Sequence, residues 1–236
     1  MKKSIYLEIM NDIINNIQAG IYTPGMYLPT EKELMQRYGA SRGTIRKAID
    51  ELTKKGILSK KENVGSFVCY PRIEKGLSKL TGFSEDIIQR GGIPSSKLIS
   101  FEEKSPSLVI KEALNMKDNE NIYEIIRIRY DNKIAVAREI MNISSRICPN
   151  LLDYNLEKES IYHLLENEYH IKLETAIQTV EPSKATKEDI KVLDSKVNDL
   201  LLHCIRVSYL NNGVPVEYTE TWYRSDRYKF MVTLNR

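Results

Sequence analysis

Two arginines four residues apart stand at the beginning of a predicted helix. Ser41 is a favourable N-cap, and the apolar residues that follow at helical spacing continue until Gly56. Arg42 and Arg46 therefore lie on one face, and Gly43 has no side chain to obstruct a close approach. Guanidinium groups donate paired hydrogen bonds to phosphates and to base edges. The pattern indicates a helix end that contacts a polyanion, although two arginines are also common on an ordinary solvated surface.

A second pair of arginines alternates along a predicted strand. Arg127 and Arg129 point to the same face, because side chains alternate along a strand. With a three-residue turn after them, Ala137 and Ala135 lie opposite them, and Glu139 lies further along that face. Two guanidiniums beside two small residues indicate a basic hollow, which suits a phosphate. The spacing equally allows an exposed sheet face with weak Arg–Glu pairs.

The composition limits the possible classes of protein. The 236 residues are 42% apolar and 28% charged, which is sufficient for one large domain or two modest ones. No apolar run is long enough for a membrane span, and the N-terminus has no signal-peptide core. The cysteines and histidines lack metal or disulfide spacing, so we expect reduced thiols in a cytoplasmic protein with no metal or cofactor. These residues are Cys69, Cys148, Cys204, His163, His170 and His203.

Charge is distributed unevenly along the chain. The net charge is +3, but residues 1–70 carry a balance of +4 and residues 71–236 a balance of −1. A basic head on a near-neutral body is typical of a protein that binds nucleic acid through one end. The excess is also small enough to arise by chance, so charge alone does not decide between the two interpretations.

Local signals predict the helices of the basic head. Isoleucines every four residues from Ile5 to Ile17 predict an amphipathic first helix. Thr30 and Glu33 form a capping box at the start of a short second helix, which stops at Gly39. The helix with the two arginines begins directly afterwards, so the second and third helices have the spacing of a helix-turn-helix. In that motif the first residues of the second helix meet base edges.

A two-stranded ribbon is predicted after these helices. Residues 57–61 and 66–69 have strand character, and the turn at 62–65 ends on Gly65. A glycine at the tip allows the backbone to approach a phosphate or the minor groove. Three helices, two caps and a basic ribbon within about 70 residues are more specific than the arginines alone. Together they favour a winged helix that binds DNA.

The remaining chain alternates between strand and helix patterns. Residues 71–76 are short and polar and predict a linker. The segment 127–130 is similar to 206–209, which suggests a duplicated strand–helix–strand unit. Such a unit places two equivalent hairpins side by side in one antiparallel sheet, a frame for a ligand pocket. The expected helices are one that follows from the segment 77–86 and ends at Gly91 and Gly92, then 108–114, 160–168 and 186–194. The expected strands are 95–103, 122–130, 134–143, 203–210 and 214–223.

The motifs of the head resemble the winged-helix signature of the GntR superfamily of bacterial transcription regulators. The resemblance rests on LPTEKEL at 28–34, on SRGTIRKA at 41–48, and on Pro24, Leu52 and Gly56. It implies two arginines that contact bases, two threonines that contact the DNA backbone and a glycine at the wing tip. With their neighbours in the motif, the implied DNA-binding residues are Thr30, Lys32, Ser41, Arg42, Gly43, Thr44, Arg46 and Gly65. The family often has arginine at position 32, and lysine lacks the planar fork that contacts guanine in two places.

The rest of the chain resembles the effector domain of the HutC branch of that superfamily, the UTRA domain. This resemblance implies a chorismate-lyase-like fold, and hence an α+β protein with an N-terminal winged helix-turn-helix joined to an antiparallel-sheet effector domain. In members that respond to amino-sugar phosphates, the positions that hold phosphate are similar to Thr81, Gly82, Phe83, Ser84, Arg127, Arg129, Ser160 and Tyr162. The positions that contact the sugar are similar to Glu139, Glu217 and Tyr223.

These observations predict a DNA-binding domain at 1–70, a linker at 71–76 and an effector domain at 77–236. We expect a homodimeric repressor of a sugar or amino-sugar utilisation operon, bound to a palindromic operator and released by a phosphorylated sugar. Three alternatives stay open: a regulator that senses a disaccharide phosphate or a carboxylic metabolite, a lyase-like enzyme, and a structural nucleoid protein. No nucleophile elbow, metal-spaced histidines or Gly-rich phosphate loop supports the enzyme, so we do not expect catalysis.

Overall fold

The chain divides into two compact units. The computed structural model describes residues 5–61, 64–69 and 72–234. The first unit ends at Arg72 and the second begins at Ile73. Within the described ranges, no helix is long and apolar enough to cross a membrane.

The first unit consists of three helices and a two-stranded antiparallel ribbon. Its elements are α1 (Ile5–Gln18), α2 (Glu31–Tyr38), α3 (Arg42–Lys54), β1 (Leu58–Lys61) and β2 (Gly65–Val68). The helices enclose an apolar core, whose fully buried side chains include Ile13, Leu34, Ile45, Ala48 and Leu52. This confirms the winged helix-turn-helix predicted for this part of the chain.

Local caps determine where α2 and α3 begin. The Thr30 hydroxyl accepts a hydrogen bond from the Glu33 backbone N–H at 3.3 Å, and the Glu33 carboxylate accepts one from the Thr30 N–H at 2.7 Å. Gly39 ends α2 with a left-handed φ of 59°, which costs glycine no steric penalty. Ser41 caps α3 by accepting from the Thr44 N–H at 3.3 Å. Adjacent local signals therefore fix the turn between the two helices.

Two details of the first unit differ from the prediction. The apolar stripe of α1 is buried at Ile9 and Ile13, but Ile5 is 57% exposed because it is the first helical residue and lies beyond the core. The second strand of the ribbon begins at Gly65, one residue earlier than expected. Residues 62 and 63 of the predicted turn lie outside the described part of the chain.

A six-stranded antiparallel sheet is the frame of the second unit. The elements of this unit are β3 (Ile73–Gly76), α4 (Phe83–Gln89), β4 (Pro94–Lys104), α5 (Leu108–Ala113), β5 (Ile122–Asp131), β6 (Ile134–Ser144), a 3₁₀ turn (Leu151–Asp153), α6 (Ile161–Asn167), β7 (Thr175–Lys184), α7 (Lys187–Leu193), β8 (Leu200–Tyr209), β9 (Pro215–Arg224) and β10 (Tyr228–Met231). The sheet has the strand order β4-β5-β6-β9-β8-β7, so the two hairpins meet at its centre. The order strand–helix–strand–strand occurs twice, as β4-α5-β5-β6 and β7-α7-β8-β9, which confirms the duplicated unit predicted from the similar hairpins.

The two faces of the sheet are covered by different helices. On one face, Leu114 after α5 packs near Ile122, and Leu193 of α7 packs near Ile128. The opposite face is covered by α4 and α6, which carry apolar side chains against the central strands. Because side chains alternate along each strand, Arg127 belongs to this second face. The fold thus directs it towards the N-terminal ends of α4 and α6.

The last four residues of the predicted linker form a strand instead. Ile73–Gly76 form β3, which pairs in parallel with β10 near the other end of the chain. Lys75 is buried there because Asp86 compensates its charge, with Nζ and Oδ2 2.6 Å apart. A short polar segment has no local feature that reveals so distant a partner strand. Pro71 lies outside the described residues.

The sequence analysis also missed β7. This strand lies at the edge of the sheet, and most of its residues are exposed. It therefore lacks the regular alternation of apolar and polar residues that marks a half-buried strand.

Candidate functional site

The start of α3 presents two arginines on the surface of the first unit. The side chains of Arg42 and Arg46 are 65% and 55% exposed. Ser41 and Gly43 beside them are exposed, and Thr44 is half-buried. This is the helix end that a helix-turn-helix places against base edges.

Glu31, the first residue of α2, holds both guanidinium groups. Its carboxylate accepts hydrogen bonds from Arg42 Nε at 2.7 Å and from Arg46 Nε at 2.8 Å. The hydrogen bond from Arg42 is the largest cause of a lowered pKa of Glu31, and the hydrogen bond from Arg46 is the next largest. Both contacts use Nε, and among the described residues the terminal nitrogens donate no hydrogen bond, so the outer edge of each fork is available. The sequence analysis missed Glu31, because its partners lie in the next helix.

The other predicted DNA-binding residues also lie at the surface of the first unit. Thr30 and Lys32 are exposed at the start of α2, although the Thr30 hydroxyl is already engaged with Glu33 in the capping box. Gly65 begins β2 with a φ of 136°, a backbone conformation that side chains disfavour. A Cβ at that position would meet the Tyr27 ring at 3.9 Å. The glycine therefore serves the backbone conformation of the ribbon rather than a close packing contact.

A small cavity lies in the second unit, at the N-terminal ends of α4 and α6. Two predicted effector-binding residues do not line it but contact residues that do. The Thr81 carbonyl oxygen accepts a hydrogen bond from Arg206 at 3.3 Å, and the Ser84 hydroxyl accepts one from Arg129 at 3.5 Å. The structure thus brings the predicted set together around one cavity. The predicted residues that line it are Gly82, Phe83, Arg127, Arg129, Glu139, Ser160, Tyr162, Glu217 and Tyr223.

The register of the β5–β6 hairpin differs from the predicted one. The turn has two residues instead of three, and the pairing shifts at a bulge next to Arg129. Arg129 consequently lies opposite Ala137, and Arg127 lies opposite Glu139. Both predicted neighbours, Ala137 for Arg127 and Ala135 for Arg129, were wrong because the sequence gives no clear signal for the shorter turn or for the bulge. The common face of the two arginines is as predicted, but a carboxylate lies directly across from one of them.

Arg127, Arg129 and Glu139 form a buried charged cluster. Arg127 Nη2 donates to Glu139 Oε1 at 2.5 Å, and Arg129 Nε lies 4.0 Å from Glu139 Oε2. Burial disfavours the charged carboxylate, but the two guanidiniums outweigh it and lower the pKa of Glu139 to about 2. Burial and the positive charge of Arg127 lower the pKa of Arg129 to about 10. One carboxylate thus faces two cations.

Neither arginine is fully hydrogen-bonded. Arg129 donates to the Ser96 hydroxyl at 2.7 Å, and its guanidinium lies over the Phe83 ring at 4.4 Å. Among the described residues, Arg127 Nη1 and Arg129 Nε are buried and have no hydrogen-bond partner. An unsatisfied buried donor costs about 1–3 kcal/mol, and more for a charged group. The cluster is therefore suited to accept an anion from the cavity.

A second carboxylate, Glu217 of β9, also lines the cavity. Its Oε1 accepts from the Tyr162 hydroxyl at 2.5 Å and from the Ser208 hydroxyl at 2.7 Å. Thr219 donates to Oε2 at the longer distance of 3.5 Å. Because Oε2 has the weaker partner, this oxygen is the one suited to accept a hydrogen bond from a hydroxyl group.

The loop before α4 lies tightly against Tyr162. A Cβ on Gly82 would come within 3.3 Å of the Tyr162 ring, closer than the neighbour accommodates without moving. Ser160 caps α6 without a side-chain hydrogen bond. Its hydroxyl therefore lines the cavity with its hydrogen-bonding capacity unused among the described residues.

Sequence reasoning missed five polar residues of the cavity: Lys75, Gln178, Arg206, Thr219 and Thr221. Arg206 donates to Gln178 Oε1 at 2.9 and 2.8 Å and to the Tyr162 hydroxyl at 3.4 Å. The similarity of 206–209 to 127–130 was the signal for Arg206, since both segments put an arginine on the same face of a central hairpin. No such signal existed for Lys75 and Gln178, which lie on the two elements that were mispredicted.

The structure gives no support for a metal centre. Among the described residues, no group of three or more His, Cys, Asp or Glu side chains is arranged to hold a metal ion. Among the described residues, no disulfide joins Cys69, Cys148 and Cys204, and burial raises the pKa of Cys148 to about 12.

Comparisons with known proteins agree with this architecture. Residues 5–68 match the gntR family of bacterial regulatory proteins, and residues 89–229 match the UTRA domain. The transcriptional repressor NagR of Bacillus subtilis is 33% identical over 232 residues, which cover 98% of this chain and 95% of that protein. The probable fructoselysine utilization operon transcriptional repressor of Escherichia coli is 26% identical, over 94% of this chain and 91% of that protein.

A solved structure shows the same fold over the whole chain. PhnF from Mycobacterium smegmatis superposes with a TM-score of 0.70 at 18% identity and covers 98% of this chain and 99% of its own. The matches extend over both units, so neither the DNA-binding nor the effector assignment depends on a fragment. The protein therefore belongs to the GntR family of bacterial regulatory proteins, in its HutC branch, and is a DNA-binding transcriptional regulator with a UTRA effector domain.

Proposed function

We propose that this regulator is a repressor of a sugar or amino-sugar utilisation operon. It binds a palindromic operator as a homodimer, and a phosphorylated sugar in the cavity of the UTRA domain releases it. The observation that carries the proposal is the pair of buried guanidiniums with unsatisfied donors, Arg127 and Arg129, in that cavity. The names of two relatives, a repressor of fructoselysine utilization and the repressor NagR, support the class of operon.

The exposed end of α3 supports the DNA-binding part of the proposal. Arg42 and Arg46 offer the outer edges of their guanidiniums, which suit the O6 and N7 acceptors of guanine. Lys32 and the wing residue Lys61 are exposed cations that suit phosphates. Base contacts then supply sequence preference, and phosphate contacts supply affinity and register.

A phosphate dianion suits the cationic side of the cavity. It accepts hydrogen bonds from Arg127 Nη1 and Arg129 Nε and from the Ser160 hydroxyl, all of which lack a partner among the described residues. Glu217 and the Tyr223 side chain lie on the same cavity wall, where they suit the hydroxyl groups of a sugar. Glu139 differs from the expected sugar contact in one respect, since it is the counter-ion of Arg127.

The runner-up effector is another anion, a disaccharide phosphate or a carboxylic metabolite. The cationic cluster binds a carboxylate by the same charge-assisted hydrogen bonds, so the cluster alone favours an anion in general. A thermal-shift screen of sugar phosphates against organic acids separates these, because a ligand that binds only the folded state raises the melting temperature.

Replacing the first base-contacting arginine tests the DNA interface. For Arg42→Ala we expect a loss of about 1–3 kcal/mol of operator binding and a weaker preference for the operator over random DNA. The exposed control Lys61→Ala should weaken binding to all DNA sequences similarly. It should also lower the number of counterions released on binding, read from the salt dependence, by about one. Both are measured by fluorescence anisotropy across a salt series. An unchanged operator preference in Arg42→Ala would contradict the assignment of α3.

Replacing the carboxylate that holds both arginines tests how they are oriented. Glu31→Gln removes the anion but keeps the shape, so we expect tighter binding to random DNA and a roughly tenfold lower operator preference. Glu51→Gln is the matched control, since it removes the same charge from α3 at a site paired with Lys54. If the two variants discriminate equally well between operator and random DNA, Glu31 does not orient the arginines.

The assembly is tested by light scattering. One winged helix contacts few base pairs, and specific affinity needs a larger interface, so we expect a two-fold dimer on the palindrome. The second unit should carry the contact between subunits. A monomeric mass at micromolar concentration, with and without operator DNA, would rule out this arrangement.

The effector site is tested by the response of the bound operator. Arg127→Ala removes a hydrogen-bond donor to the phosphate. We therefore expect a super-repressor, which stays on the operator at sugar phosphate concentrations that release the wild type. Lys97→Ala is the control, because this exposed cation lies on the neighbouring strand, opposite Ile128. The measurement is an operator-binding titration with the best ligand from the thermal-shift screen. Release of Arg127→Ala at the wild-type concentration would mean that phosphate binds elsewhere.

A further inference from the structure

A buried lysine connects the effector cavity to the strand that follows the DNA-binding unit. Lys75 lies on β3, three residues after the first unit ends at Arg72. Its side chain is only 4% exposed and lines the same cavity as Arg127 and Arg129. Among the described strands, β3 pairs only with β10 and only over four residues, so it has fewer backbone hydrogen bonds to its neighbour than the ten- and eleven-residue strands of the six-stranded sheet.

The charge of Lys75 is only partly compensated. Its ammonium lies 2.6 Å from Asp86 Oδ2, and Asp86 also accepts a hydrogen bond from the Thr81 hydroxyl. Burial and the positive charge of Arg206 lower the pKa of Lys75. At and beside the cavity, the four cations Lys75, Arg127, Arg129 and Arg206 face the three carboxylates Asp86, Glu139 and Glu217. An anion that enters the cavity therefore supplies the missing negative charge.

We propose that Lys75 is an effector-contacting residue that exchanges Asp86 for the anionic group of the ligand, and that this exchange transmits the occupancy of the cavity to β3. The inference rests on the function proposed above. The Lys75 ammonium then donates a charge-assisted hydrogen bond to a phosphate oxygen and loses its bond to Asp86. Lys75 is then both a ligand contact and a positioning residue for the chain that leads to the DNA-binding unit.

Two further contacts extend the effect of this exchange. Thr81 belongs to the loop before α4. Its carbonyl oxygen accepts a hydrogen bond from Arg206, and its hydroxyl donates one to Asp86. When Asp86 loses Lys75, β3 and α4 are no longer joined by this ion pair. A change in β3 reaches the first unit through the covalent chain at Arg72, so no direct contact between the units is needed.

The test compares removal of the pair with removal of the carboxylate alone, using glucosamine 6-phosphate and inorganic phosphate as probes. Lys75→Met combined with Asp86→Asn removes one cation and one anion together and so leaves the net buried charge unchanged, and folding is expected to persist. We expect this double variant to bind glucosamine 6-phosphate about tenfold more weakly or worse and to lose release from the operator at saturating ligand. The exposed neighbour variant Lys79→Met should match the wild type in both measurements.

For the single variant Asp86→Asn we expect the opposite change in ligand affinity. It removes the anion that competes for Lys75, so we expect tighter binding of glucosamine 6-phosphate and a larger thermal shift than in the wild type. A purely structural ion pair predicts the reverse, since its loss would destabilise the site. Binding is measured by calorimetry on the full chain, and release is measured by operator titration relative to the ligand-free affinity of each variant.

The outcomes separate this inference from the proposed function. If Arg127→Ala loses the ligand while the double variant binds and releases as the wild type does, the role of Lys75 is overturned and the proposed function stands. Weaker binding with normal release at saturation would overturn the transmission through β3. If the wild type binds neither probe, the proposed function fails and the inference fails with it.

Discussion

The second unit is organised around the burial of two guanidinium groups in the middle of an antiparallel sheet. Arg127 and Arg129 are 2% and 5% exposed, and among the described residues they share the single carboxylate Glu139. Taking an ion out of water costs several kcal/mol, and a single shared carboxylate does not offset this for two cations. The register of β5 against β6, which sets Arg127 opposite Glu139, is therefore a functional constraint as well as a structural one. A site of this kind is stabilised when an anion binds.

The same constraint relates the cavity to DNA binding. By linkage, a ligand that weakens operator binding must itself bind the DNA-free form more tightly by the same factor. A hundredfold release corresponds to a coupling free energy of about 2.7 kcal/mol, which a few charge-assisted hydrogen bonds supply. The segments that contact the cavity include β3 and the loop before α4, and both directly follow the DNA-binding unit in the chain. Few other segments of the second unit are so close in sequence to the DNA-binding unit.

The sequence predicted most of what depends on local signals. The capping box at Thr30, the glycine stop at Gly39 and the N-cap at Ser41 are short-range features, and the structure has all three. The parity of Arg127 and Arg129 was predictable because side chains alternate in any strand. The resemblance to a known family then supplied the residues around the cavity that lie on separate elements.

Contacts between distant segments were not predictable in the same way. The pairing of β3 with β10 joins the two ends of the second unit, and a polar sequence at 73–76 gives no hint of it. Gln178 lies on an exposed edge strand without an alternating pattern. Glu31 contacts Arg42 across the helix-turn-helix, so only the fold identifies it as a partner. In each case the information lies in tertiary pairing rather than in the local sequence.

Reciprocal linkage between operator and effector is the most direct test of the account. The measurement is the calorimetric affinity of the wild-type protein for glucosamine 6-phosphate, first alone and then with saturating operator DNA. The account predicts that operator DNA weakens ligand binding by the same factor by which the ligand weakens operator binding. Equal ligand affinity with and without operator would contradict it, because a ligand that binds both forms equally cannot release the repressor.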